Sequence, residues 1–569
     1  MVTVTGISSI YSSVRLLRFC PCLIQKISFW TFTGLNNRYT TSWLSFAVTK
    51  PSRKMDEVYF LKFVDYSALT NQSWPSRENI QINKRIVSLK TVEEQLELFE
   101  SVKSSSNMVN RVTALVNIVK ITERSEKQKE ALKQDREKPQ RGKSNMYMKL
   151  LESISKDISS CDAQGLANVL WALGKLKEKD HRLVPVCQNE IMSRDIKAFL
   201  NNANICQIVN GCVNLNLTSS DIFSSILDAI LNGQVKIQHF DNRGFSGILM
   251  SYAKVENCPV KLLNIFLDKT LSKDFVSIDS GSLAAFVWSF AKKMFFPKEL
   301  FHQVEKEILR RGTADMKHEE ITQILWAFGT AEKGSRELFN LLDMGLTSRG
   351  VGKLDNAALL EIVWCFAKRN ATKAKVFDFV KKEVLKRGPH VFQNHELVHI
   401  LRAFVSAQRH DDRLVAEIER ELCLKDVKQY DTGQLCQIAW SLGRARNYGS
   451  KMFDAIEAES LHRGVTVFSL KQKCMLMRGF IEAKRGTTKF YESLVNSFST
   501  DDLHKLNREG ICESAWCFSN ADVPVESLFR ALEEEILAKR RSYFTKKNLD
   551  SLKKSFRKVG KGSKALFAL

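Results

Sequence analysis

Apolar residues return along this chain with a period longer than any single helix or strand. The block Leu166-Ala-Asn-Val-Leu-Trp-Ala-Leu-Gly-Lys-Leu176 reappears as Leu283-Ala-Ala-Phe-Val-Trp-Ser-Phe-Ala-Lys-Lys293 and as Ile321-Thr-Gln-Ile-Leu-Trp-Ala-Phe-Gly-Thr-Ala331. With the Trp as register, the matching residues are Trp171, Asn210, Met250, Trp288, Trp326, Trp364, Arg402, Trp440, Arg478, Trp516 and Lys554. The steps are 39, 40 and then 38 residues eight times in succession. A fixed period of this size marks a tandem array whose units bury their apolar faces only against their neighbours.

Within a block, apolar side chains fall at positions 1, 4, 5 and 8, as in Leu359, Ile362, Val363 and Phe366. That spacing predicts one helix per block with a single buried stripe. Four residues before most blocks stands a capping residue: Asp162, Asn201, Asp241, Asp279, Asp355, Asp431, Ser469, Asn507 and Thr545. Glu320, Glu396, Gln434 and Gln472 stand three residues after that column, where a capping box places its Glu or Gln. A second helix follows, as in Glu299 to Gly312 and Val376 to Gly388. It ends on glycines in the same register, Gly312, Gly350, Gly388 and Gly464, which suit a left-handed cap after a last turn rich in Arg and Lys. The predicted fold is therefore all-α, an α-solenoid of about 11 helical-hairpin repeats of 38 residues stacked into a superhelix.

The rest of the chain divides around this array. Residues 1–55 contain no Asp or Glu, seven Lys or Arg and 15 Ser or Thr, the composition of an organellar transit peptide. Residues 56–106 form an N-terminal cap region, and residues 107–149 hold a weak first copy, Arg111 to Ile121, followed by a charged linker. The tandem repeats run over 150–538, and 539–569 make a basic cap and tail. The net charge of +23 makes nucleic acid or an acidic membrane surface the first partners to consider. Yet residues 150–538 carry only +2, against +7 in 1–55 and +10 in 539–569. No apolar run reaches the ~18–20 residues of a membrane-spanning helix. The 13 Cys make no metal-binding spacing and read as buried free thiols. His395 and His399 stand four apart without a third ligand nearby. No metalloprotease, phosphate-loop, serine-hydrolase or dinucleotide motif is present, so no enzyme, metal or cofactor is expected.

The columns of the repeat, with Trp, Ala or Ser, Phe or Leu, and Gly or Ala at fixed places, resemble the octatricopeptide repeat family. They are also similar to the heptatricopeptide and FAST-kinase-like organellar proteins. The resemblance covers about residues 107 to 559 and does not extend to the RAP domain many members carry; the last repeat block is followed only by Lys561 to Leu569. It implies an α-solenoid in a mitochondrion or plastid that binds single-stranded RNA, mRNA or rRNA. Such proteins act in transcript stability, processing, translation or ribosome assembly, with the organellar ribosome or RNA-processing proteins as further partners. An armadillo-like or HEAT-like scaffold for protein partners is the competing reading.

Helical-repeat readers assign each base to two or three side chains per repeat. Position 3 of the block is polar and varied, and its candidates for base contact are Asn168, Gln207, Gln323, Glu361, His399, Gln437 and Glu513. Position 10 supplies the phosphate candidates Lys175, Lys254, Lys292, Lys368 and Arg444. Position 7, usually Ala, Ser, Gly or Cys, is expected to leave a groove beside these columns. The Trp column, set among Leu and Phe, is expected in the inter-repeat core, with Arg402 and Arg478 breaking it as exposed contacts. The basic run Lys539 to Lys564 suits an electrostatic clamp or an end cap.

Overall fold

The computed structural model describes residues 28–33, 42–48, 59–60, 76–137, 145–194, 199, 201–445, 450–499, 503–539 and 541–569. The chain forms two compact units, Met1–Lys156 and Asp157–Leu569. In the first, strands Ser28–Thr33, Ser42–Val48 and Tyr59–Phe60 make a small antiparallel sheet in that order. The rest of the transit-peptide segment lies outside the described residues. Helices Arg77–Ser88, Val92–Val102, Met108–Arg124, Glu126–Glu137 and Met146–Lys156 complete this unit. The weak first copy falls within Met108–Arg124, which is capped by Asn107.

The second unit is an α-solenoid, and every described element in it is helical. Eleven first helices lie in register: Ala163–Lys175, Asn202–Asn214, Asn242–Ala253, Ser280–Lys292, His318–Thr330, Asn356–Lys368, Asn394–Ser406, Thr432–Arg444, Leu470–Ala483, Arg508–Asn520 and Lys546–Val559. A second helix follows each of the first ten, and short 3-10 turns such as Phe275–Ser277, Pro389–Val391 and Val465–Val467 lead into the next first helix. The predicted capping column holds: the side chains of Asp162, Asn201, Asp241, Asp279, Asp355, Asp431, Ser469, Asn507 and Thr545 accept the backbone N–H three residues on. Where Lys317 or Gln393 replaces the cap, Glu320 or Glu396 accepts its backbone N–H at 3.0 or 2.8 Å.

The glycines that end the second helices differ in detail from a left-handed cap. Gly312, Gly350, Gly388 and Gly464 have φ between 70 and 84°, but ψ is extended, a region closed to side chains. A residue with φ of 51–60° instead follows eight of the eleven first helices and is not glycine: Lys177, Asn216, Met294, Glu332, Asn370, Gln408, Lys484 and Asp522; after Lys546–Val559 the left-handed residue is Gly560. The glycine signal marks a sharper turn, whereas the positions after the first helices hold mixed residue types, with Asn or Asp in three of them and Gly560 in another.

Two interactions fix the hairpins and their stacking. The first is a clasp at the end of the second helix. Arg311 donates to the carbonyls of Phe275, Val276 and Ile278 in the turn entering its own hairpin, at 2.8, 2.8 and 2.5 Å. Arg194, Arg349, Arg387 and Arg463 do the same at equivalent places, reaching carbonyls 33–36 residues back. In four of the five a Glu one turn earlier, Glu190, Glu307, Glu383 or Glu459, pairs with the guanidinium. The clasp thus satisfies turn carbonyls that no helix can serve. The second interaction is backbone contact between successive first helices. A Cβ on Gly211 would lie 2.7 Å from the Leu170 carbonyl oxygen, and one on Gly174 would lie 3.0 Å from that of Gly211.

These contacts set two expectations. Gly211→Ala should cost about 1–3 kcal/mol through overpacking. Gly247→Ala, whose nearest neighbour would be 3.9 Å away, should be neutral or stabilising. Urea unfolding of the two variants makes the comparison. Glu307 is held near 2, from an ordinary 4.5, first by its hydrogen bond from Arg310 and then by Arg311, against the opposing pull of burial. Its contribution is complete above pH 4.5 and lost as the pH falls toward 2. The native protein should therefore lose more stability than Glu307→Gln between pH 5 and pH 3, measured in the same urea series.

Candidate nucleic-acid interface

At 3.6 residues per turn, positions 3, 6 and 10 of the block share one narrow arc, roughly opposite the stripe formed by positions 1, 4, 5 and 8. Leu166, Val169, Leu170 and Leu173 of the first repeat are fully buried, as are Leu359, Ile362, Val363 and Phe366 of the sixth. The opposite arc faces outward, buried Ala285 of the fourth repeat excepted. Position 6 is the decisive column. Trp171, Trp288, Trp326, Trp364, Trp440 and Trp516 are all half-exposed, and none of them belongs to the core. The expectation of an inter-repeat Trp core is thus overturned. The core is filled by Leu, Ile, Val and Phe, and the Trp column faces away from it.

The position 10 cations lie against these rings. Lys368 Nζ is 5.0 Å from the centroid of Trp364, Arg444 Cζ 5.5 Å from Trp440, and Lys175 Nζ 5.9 Å from Trp171. Lys292 reaches the ring of the next repeat, Trp326, at 5.8 Å, and Trp288 and Trp326 are 6.0 Å apart. Arg478, at position 6, covers Trp516 at 4.6 Å. A cation over an exposed ring contributes about 0.5–1 kcal/mol, little enough for a stacking base to compete. Lys254 is pushed below the usual lysine range by its partly buried surroundings and by repulsion from Lys175, two repeats earlier. These two cations crowd one another along the same face.

The position 3 residues have unequal freedom. Gln207 donates to Asn168 Oδ1 at 2.5 Å and accepts from Gln164 at 2.8 Å, so two base-contact candidates are engaged in a side-chain ladder between repeats. Glu513 is paired with Arg478 at 2.6 Å, and Arg478 also bonds Glu482, which lies 3.7 Å from Arg444. Arg478 is therefore an ion-paired residue and not an open contact. The remaining candidates are less engaged. Gln323 and His399 are half-exposed and Glu361 is exposed, while the Oε1 of half-exposed Gln437 is buried without a hydrogen-bond partner among the described residues. Partial burial, with Arg402 and His395 close by, lowers His399, which keeps the imidazole neutral and able to accept at neutral pH. Partly buried surroundings and the Asp355 carboxylate raise Glu361, while Lys292 pulls it the other way.

The groove expected at position 7 does not exist. Ala172, Ser289, Ala327, Cys365, Ser441 and Cys517 are buried. Small residues at this place are required by the neighbouring first helix, which fills the space they leave. The thiols agree with this packing: Cys187, Cys212, Cys365, Cys436 and Cys517 are buried and unbridged, and burial pushes each upward. Among the described residues no helix is long and apolar enough to cross a membrane.

No protein-family model matches the chain, and no curated protein matches it. Among solved structures it is similar to a homology model of the full-length AP-3 complex in an intermediate open conformation. The identity is 10%, over 88% of this chain and 92% of that one, with a TM-score of 0.25. A superposition this loose carries no functional argument.

The outward Trp column can be checked directly. Hydroxyl-radical footprinting should modify Trp288 and Trp326 readily and leave Phe286 and Phe328, which are fully buried, protected. Equal protection of all four would restore the Trp side chains to the core.

Proposed function

We propose that this chain binds single-stranded RNA along the outward face of its first helices, stacking bases on the Trp column and holding phosphates with the position 10 cations. The observation that carries this reading is the recurrence, at Trp171, Trp326, Trp364 and Trp440, of a half-exposed indole with a Lys or Arg laid against it. Single-strand binders combine an aromatic platform with a cationic track, and stacking tolerates any base because every base has a π face. Gln323, Glu361, His399 and Gln437 supply edge contacts that differ from one repeat to the next. The acid-free, Ser- and Thr-rich first 55 residues direct the protein to a mitochondrion or plastid, where it acts on transcripts or rRNA. The basic segment 539–569 adds long-range attraction for the strand. The reading involves no catalysis.

The competing scaffold reading draws on the same half-exposed Trp and Arg side chains, which are also common anchors of protein interfaces. Fluorescence anisotropy with single-stranded RNA oligonucleotides separates the two. Trp326→Ala or Trp364→Ala should weaken binding by roughly 5- to 150-fold, equivalent to ~1–3 kcal/mol per stacked base. Changing Lys254, Lys292, Lys368 and Arg444 together to Glu should abolish binding at moderate salt, and any residual binding should have a salt slope shallower by about 0.7 for each phosphate no longer neutralised. Absence of RNA binding at low salt, together with no RNA recovered by crosslinking in the organelle, would reject the RNA reading in favour of the scaffold.

A further inference from the structure

A cleft of about 500 Å³ opens between the turn after helix Asn356–Lys368 and the start of helix Arg336–Arg349. That volume lies in the range of small-molecule sites. Its lining contains three cations, Arg336, Arg369 and Lys373, and no carboxylate. Phe339 also lines it but is only 4% exposed, and Asn340 and Asn370 bring amides to the same space. Arg369 is fixed in place: it donates to the Glu332 and Gly334 carbonyls at 2.8 and 3.0 Å and lies 5.4 Å over the Phe339 ring. Its Nε is buried and has no partner among the described residues. Nearby carboxylates are turned elsewhere. Glu332 pairs with Lys368, Glu305 accepts from the Ser335 N–H, and Asp343 accepts from the N–H groups of Lys375 and Val376. Arg336 and Lys373 are exposed, with no ion pair among the described residues. A fixed guanidinium, two exposed cations and two amides around an acid-free cleft together match a phosphate joined to a group with hydrogen-bonding edges.

We propose that this cleft is a binding site for a nucleoside monophosphate unit, with Arg336 and Lys373 on the phosphate beside the fixed Arg369, and Asn340 and Asn370 at the edge of the base. The unit is either a nucleotide of a bound strand or a free nucleotide. The site stands on its own residues, and its occupation by free nucleotide does not depend on the strand reading.

The test titrates the full chain with AMP, GMP, CMP and UMP by calorimetry, and in parallel with a single-stranded RNA oligonucleotide by anisotropy. At least one monophosphate should bind saturably in the micromolar to millimolar range. The double variant Arg336→Glu/Lys373→Glu should lose that binding tenfold or more at an unchanged melting temperature. Asn340→Trp, which fills the opening from an exposed position, should block it without touching a charge. If the strand supplies the unit, both variants also weaken the oligonucleotide, and excess monophosphate competes with it. If the ligand is free nucleotide, oligonucleotide affinity is unchanged, whereas Trp364→Ala still reduces it. Failure of all four monophosphates to bind at 10 mM, or binding indifferent to both variants, overturns the proposal while leaving the Trp-face result to stand or fall separately.

Discussion

Close backbone approach between consecutive first helices is the constraint from which the rest of the solenoid follows. It demands a small residue at position 7 of each block, and the chain supplies Ala, Ser, Gly or Cys there without exception from Ala172 to Ser555. Helices packed this closely share an apolar seam through positions 1, 4, 5 and 8, so the Leu, Ile, Val and Phe side chains there are excluded from water. The same packing leaves each first helix one free arc, and the side chains on it align between repeats. An ordered outer face is thus a by-product of tight stacking. A single bulky residue at position 7 would tilt one helix and break the alignment of every column that crosses it.

Much of this was readable in the sequence, because periodicity is set by geometry. The 38-residue register located all eleven first helices, and the capping column before most blocks located their N-termini, since a helix start exposes N–H groups that a side chain must serve. The clasp was visible only as a basic last turn. That Arg311 or Arg387 reaches back to carbonyls in the entering turn depends on how the hairpin folds over, which local pattern does not encode. Several of the positive-φ residues after the first helices were also hidden, because Lys177, Met294 and Glu332 carry no glycine-like sign.

The Trp column shows a different kind of error. By helical geometry position 6 lies roughly 150° from the centre of the apolar stripe, so the register already turned it outward. Residue type suggested burial, and residue type was the poorer guide. Position 7 departs from its residue type for the converse reason. Small side chains suggest vacant space, but in a stacked array a neighbouring backbone takes that space, as the Leu170 carbonyl does at Gly211. The ladder from Gln164 through Gln207 to Asn168 was equally out of reach, since it needs the offset between adjacent repeats.

The clasp also bears on how the chain acquires its structure. Each guanidinium finds its carbonyl partners 33–36 residues back, so a hairpin can close as soon as about one repeat of chain is available. Contacts of such short sequence separation favour rapid folding with little conformational search. A chain that emerges from a ribosome, or is threaded through a membrane pore, can therefore lock its hairpins one at a time from the N-terminal side. Each finished unit then presents an apolar flank as the template for the next, and folding becomes a process of growth along an axis.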